Sequence, residues 1–363
     1  MRTLLETSTL FTILLFILGC SRQSDVENLT KSESAKQENA QTIVSKPEPS
    51  NLTVELVSKL EQINQYFAGS VTEPMVVVDC TLSGGTKTQC YRFTVRPEAD
   101  HAIGPWCPEN ISDDDKAGGI WPNDGQIQQV DGSFVENLAS FYNDDKWLMY
   151  DPSTGKINVT DIEECAAVPQ VDPRWTNFCM HCDTQYMDGI PDITYTIPVT
   201  PVVTESKQRI NRRLPMGVAF NGVKFDAPAP LEMILASYTI APFDDCGGHV
   251  NTQAGYHYHE HNGCSKEISQ DNHEAIIGFA LDGHTMHSES QSADLDECNG
   301  HSTDNQGYHY HINNSGSNKF LGCYSAEHGC ASEKIEDCDA SKISARGGRP
   351  PRPPRDDDGL KRN

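Results

Sequence analysis

Two copies of the string Gly-Tyr-His-Tyr-His stand at residues 255–259 and 307–311. Each follows an Asp-x-Cys turn and a further histidine at one fixed distance. The first copy opens with Asp244-Asp245-Cys246-Gly247-Gly248-His249 and the second with Asp296-Glu297-Cys298-Asn299-Gly300-His301. Side chains alternate along a strand, so His257 and His259 share one face and Tyr256 and Tyr258 the other. Two imidazoles at i and i+2 on a stiff strand reach one ion with little backbone entropy left to lose. His249 can add a third nitrogen from the preceding turn, and His301, His309 and His311 repeat the arrangement. Imidazole suits zinc, copper, iron or nickel. Three nitrogens with one open position is the donor set of catalytic zinc and of many copper sites, so copper or zinc is the expected cofactor. Asp244 and Asp296, with Tyr256, Tyr258, Tyr308 and Tyr310, are placed to orient the ligands from behind. His284 and His287 are either extra ligands or surface residues.

A single His-x-His pair reads as a structural group bonded to carbonyls. Here ten of the chain's thirteen histidines lie between His249 and His311, and the spacing recurs, which favours metal. The two halves can hold two sites, or one at a pseudo-twofold interface; the interface arrangement is the expectation. Cys246 and Cys298 can be ligands or disulfide partners, and the even cysteine count favours disulfides.

The elements that must position these groups show in the flanking sequence. Each copy is preceded by a hairpin pattern, at residues 217–222 and 278–283, with Asn-Gly or Asp-Gly as a type I′ turn. Apolar spacing at Val54, Val57, Leu60, Ile63 and Phe67 predicts a short helix. Residues 75–80 and 90–95 predict strands around Gly84-Gly85, and 147–150 with 156–159 a further hairpin. Residues 193–203, punctuated by proline, predict an edge strand. The fold class is therefore mostly β: a disulfide-braced fold with an internal duplication of a hairpin–loop–strand unit and a short N-terminal helix. Residues 51–200 form an N-terminal β-rich region and 201–343 the duplicated module.

Residues 1–19 have the form of a lipoprotein signal peptide ending in Ile17-Leu18-Gly19, with Cys20 the lipidation site. Residues 20–50 are polar enough to remain a disordered tether, and the Arg/Pro tail, 344–363, is extended. The expected location is the cell envelope, lipid-anchored at the outer membrane or cell surface, with Ser21 in keeping with outer-membrane sorting. Thirteen cysteines leave twelve once Cys20 is lipidated, and export allows them to pair. Expected bridges are Cys80–Cys90, Cys246–Cys264 and Cys298–Cys323. A net charge of −24 argues against nucleic acid as a partner, so the membrane is met through the lipid. The basic tail can meet an acidic partner but reads better as solvated. Calcium on Asp113-Asp114-Asp115 is an alternative to a solvated loop. Cys179-Met180-His181-Cys182 raises the possibility of a redox dithiol, although no thioredoxin-like pattern surrounds it. No phosphate loop, Gly-x-Ser-x-Gly elbow or His-Glu-x-x-His helix is present.

Beyond the two Tyr-His-Tyr-His strings, further segments resemble the YHYH-domain family of exported proteins. They are His101-Ala102-Ile103-Gly104-Pro105-Trp106, Ile197-Pro198, 217–222, 277–283, 294–301 and Leu321-Gly322-Cys323-Tyr324. The resemblance covers roughly 75–330. It implies an exported fold and carries over no reaction. The chain departs from the family pattern at His284-Thr285-Met286-His287, where an aromatic, proline-containing segment is expected. The sequence thus points to an extracytoplasmic transition-metal protein, enzyme or binder. The rival is a non-catalytic surface or adhesion domain with a structural Tyr/His cluster.

Overall fold

The computed structural model describes residues 54–343, except 98, 100, 161–164, 166–175, 188–189, 253, 293 and 334–337. The expectations for Cys20, the tether and the Arg/Pro tail lie outside the described residues. Helix α1 (Val54–Tyr66) forms where the helical spacing predicts. It buries Ile63, and Phe67 just beyond it, while Val57 stays exposed. Phe67 packs against Phe93, Phe220 and Phe279 and so ties the helix to the β core.

The strands are β1 (Val71–Thr81), β2 (Lys87–Val95), β3 (Ile120–Asn123), β4 (Gln126–Gln129), β5 (Ile193–Pro198) and β6 (Val203–Gln208). Then follow β7 (Gly217–Ala219), β8 (Lys224–Phe225), β9 (Gly248–Asn251), β10 (Gly255–Tyr258), β11 (Ile268–Gln270) and β12 (His273–Ala280). Last come β13 (Thr285–His287), β14 (Gly300–Thr303), β15 (Gly307–His311), β16 (Tyr324–Ala326) and β17 (Cys330–Ser332).

One sheet has the order β1-β2-β5-β17. The edge-strand expectation for residues 193–203 does not hold. β5 lies between β2 and β17 and is buried at every residue. Pro198 is tolerated because it stands last, where the strand gives out. The expected hairpin at 147–159 forms only as a short pairing, the bridge Tyr150–Ile157 flanked by Asn158 donating to Met149 and Asp151 donating to Lys156, while Ile157 donates outward to Glu109.

The larger sheet runs β14-β15-β13-β12-β7-β8-β10-β9, with β11 against β12. β7 and β12 pair antiparallel at its centre. Moving outward in either direction, the hairpin partner comes first (β8 or β13). The Tyr-His strand then pairs parallel to it, and the strand with the lone histidine pairs antiparallel beyond. Both arms thus have one strand order and one set of pairing senses. The hairpin turns are not type I′, which needs two left-handed residues. Gly222 and Gly283 take φ of +80° and +90°, but Asn221 and Asp282 do not. Their side chains are engaged instead: Asn221 Nδ2 donates to the Tyr258 hydroxyl, and Asp282 accepts from the Tyr310 hydroxyl.

Six disulfides brace the described residues. The three expected pairs form, joined by Cys107–Cys179, Cys165–Cys182 and Cys330–Cys338. Cys179 and Cys182 go to different partners, so they are no redox dithiol. Disulfides of this number belong to a chain that folds outside the reducing cytoplasm.

Candidate metal centres

The two ribbons β9/β10 and β14/β15 are the outer ends of the large sheet, and each is set by its aspartate. Asp244 Oδ1 accepts from the amides of Cys246 and Gly248, closing the turn into β9. Asp296 does the same with Cys298 and Gly300. The second oxygen of each accepts a tyrosine hydroxyl, Tyr256 at 2.8 Å and Tyr308 at 2.9 Å. Those tyrosine rings lie where a Cβ on Gly248 or Gly300 would stand, which is why both positions are glycine. With tyrosines held on one face, alternation turns the histidines to the other.

Register places His249 opposite His257 and His301 opposite His309. The ligating atoms of His249, His257 and His259 lie within 4.8 Å of one another, as do those of His273, His301, His309 and His311. An ion bound at about 2.0–2.1 Å by two imidazoles at a tetrahedral angle sets their nitrogens about 3.4 Å apart. The observed Nε2–Nε2 distances are 3.1 Å for His257–His259, 3.0 Å for His273–His309, 3.2 Å for His301–His311 and 3.4 Å for His273–His301. In the second group three Nδ1 atoms face oxygens: His309 the Gly307 carbonyl, His311 that of Ser288, and His273 the Glu274 carbonyl and carboxylate. An Nδ1 against a carbonyl must carry the proton, which leaves Nε2 a bare lone pair. His257 is fixed likewise by Gly255. Lone pairs facing each other across 3.0 Å repel unless a cation stands between them, and the donor set fits one.

Residues 194–294 match a family model described as YHYH protein. The chain carries a YHYH domain. Searches of curated proteins and of solved structures find no match. The matched residues of the YHYH domain run from β5 through the first ribbon and the second hairpin, and stop short of β14.

Burial keeps five of these imidazoles neutral, as ligation requires. Desolvation, then neighbouring imidazole charge, holds His249 down to about 3, and His257 is pushed well below the ordinary histidine value by the same causes. Desolvation lowers His259 to about 4 and His309 to about 4. His311 is shifted the same way.

Several expected roles change. The single interface site gives way to two groups, because the topology puts β7 and β12 at the centre and the ribbons at opposite ends. Asp244 and Asp296 orient tyrosines and turns rather than ligand imidazoles, and Tyr256, Tyr258, Tyr308 and Tyr310 lie on the far face. His284 bonds Asp282 and packs on Tyr308 and Tyr310, away from the nitrogens. His287 does border the second group, its ring centroid 4.5 Å from that of His309. Its Nδ1 meets the Glu274 carbonyl and its Nε2 the Thr285 hydroxyl. Among the described residues no metal-capable group includes Asp113-Asp114-Asp115. Asp113 instead accepts from the amides of Glu109 and Asn110. His273, from the start of β12, escaped the sequence reading. It belongs to no repeated motif, and only the β12–β13–β15 pairing carries it to the site.

Proposed function

We propose that this is an extracytoplasmic protein that binds a transition metal, copper or zinc, at two independent histidine centres, the two arms being copies of one metal-binding unit. The pair His273 Nε2–His309 Nε2 carries this reading, since both rings commit their Nδ1 to oxygen and leave two lone pairs 3.0 Å apart. Glu274, whose carboxylate lies 3.2 Å from His273 Nδ1, supplies the outer-shell anion that sharpens a ligating imidazole. A bound ion would provide Lewis acidity, or a redox couple if it is copper. The residues' part is to hold neutral nitrogens at fixed separation.

Metal analysis of oxidatively folded residues 51–343 tests it. Two equivalents are expected, falling to one in His257→Ala and to one in the double variant His309→Ala/His311→Ala, each of which leaves two imidazoles in its group, with circular dichroism unchanged. A folded chain with no stoichiometric copper or zinc after metal reconstitution would end the proposal and leave a structural Tyr/His cluster. The same reading places the chain in the cell envelope, held by a lipid on Cys20. Palmitate labelling that is lost in Cys20→Ala checks that anchor.

A further inference from the structure

The two arms differ where their flanking residues meet the metal groups. Counting from the matching glycines Gly217 and Gly278, His273 stands five residues before the second, and Arg212 five before the first. His287 stands nine residues after the second, and Asp226 nine after the first. The second group is therefore walled by imidazoles, with four ligating nitrogens. The first has three, with Arg212 and Asp226 at the sequence positions that match the other two rings.

The missing ring leaves space. A cavity of about 350 Å³ opens directly on His249, His257 and His259. Arg212 and Asp226 line it, and its walls are largely apolar: Trp106, Met180, Pro228, Met233 and Ile234 among them. Met233, on the short helix Leu231–Leu235, stays exposed at the wall. That size and lining suit a small ligand with an apolar body. Neutral imidazoles leave a divalent ion its full charge, Arg212 adds another, and Asp226 is engaged by Lys224 at 3.6 Å. The cavity is thus electropositive where it meets the metal.

We propose that the first centre is an open site, taking a small organic acid of apolar body whose oxygen fills the fourth position on the metal beside Arg212. The second centre is closed. This rests on the two-centre reading above and goes beyond it by naming which centre meets a ligand and of what chemistry.

Cobalt(II), whose visible spectrum reports its ligands, and benzohydroxamate, an aromatic acid analogue with two metal-seeking oxygens, form the test. Cobalt-loaded His309→Ala/His311→Ala, which retains only the first centre, should shift its spectrum on titration with benzohydroxamate. Cobalt-loaded His257→Ala, which retains the second, should not. Ser237→Trp, at the half-buried cavity wall, should abolish the shift while cobalt content stays at two. Arg212→Ala, an exposed position, should weaken binding by about tenfold, the size of one charge-assisted contact. Failure of either protein to take cobalt would sink the two-centre reading itself. Cobalt uptake with a shift at both centres, at neither, or at the second alone would overturn the open-site proposal. So would a shift indifferent to Ser237→Trp or to Arg212→Ala.

Discussion

The tyrosines and histidines of one string do opposite work, and single substitutions should separate them. Tyr310 donates from its hydroxyl to Asp282 at 2.6 Å, deep in the core, and lies 3.1 Å from the Ser325 hydroxyl. Tyr310→Phe strips a donor from a buried carboxylate, which costs about 1–3 kcal/mol. Tyr308→Phe should cost less, because Asp296 keeps Lys207 at 3.0 Å and is partly solvated. Urea unfolding gives that order, and metal content should stay at two equivalents in both. The histidine face was legible from period-two alternation alone, since His257/His259 and His309/His311 needed nothing but a strand. The aspartates were not. Their spacing to the Tyr-His string shows that they belong to the unit, but only the folded ribbon reveals that they grip the turn and the phenol rather than an imidazole. His273 was invisible for a different reason: the position matching it in the other arm holds Arg212, so no histidine recurs there to mark it, and sheet order alone delivers it.

At the level of elements, each ribbon is a lever whose pitch is set by a glycine under a tyrosine. Gly300→Ala would drive its methyl group into the Tyr308 ring and against the His309 backbone. Overpacking of that kind typically costs 1–3 kcal/mol, and it should lower metal affinity at the second centre while sparing the first. Calorimetric titration of the two centres, isolated in the His257→Ala and His309→Ala/His311→Ala backgrounds, reads both numbers. Helix α1, the β1/β2 hairpin and both ribbons follow from local pattern. β5 was misplaced because the prolines of 193–203 suggested exposure, whereas its burial depends on β17 arriving from 136 residues downstream, as Ala331 pairing with Tyr195 shows. The hairpin turns departed from type I′ because Asn221 and Asp282 were recruited by tyrosines of another strand.

Across the whole molecule, many histidines are buried neutral, and that sets how stability responds to acid. An unfolded histidine titrates near 6.5, whereas His249 is held at about 3, His259 and His309 at about 4, and His261, by burial, at about 4. Below 6.5 the unfolded chain binds more protons than the native one, so stability falls as pH drops. Metal-free protein should keep a level urea midpoint from pH 8 to 7 and lose it steadily from about 6.5 toward 4. A midpoint flat to pH 4 would mean the rings are solvated. The bridges have a consequence of their own. Cys246–Cys264 and Cys298–Cys323 each knot the very bend that launches a ribbon, so on the proposed reading oxidation precedes metallation. A newly made chain still in reduced form would lack finished coordination cages. On that reading the ions on offer where it oxidises, rather than those where it is synthesised, decide which element the proposed centres take.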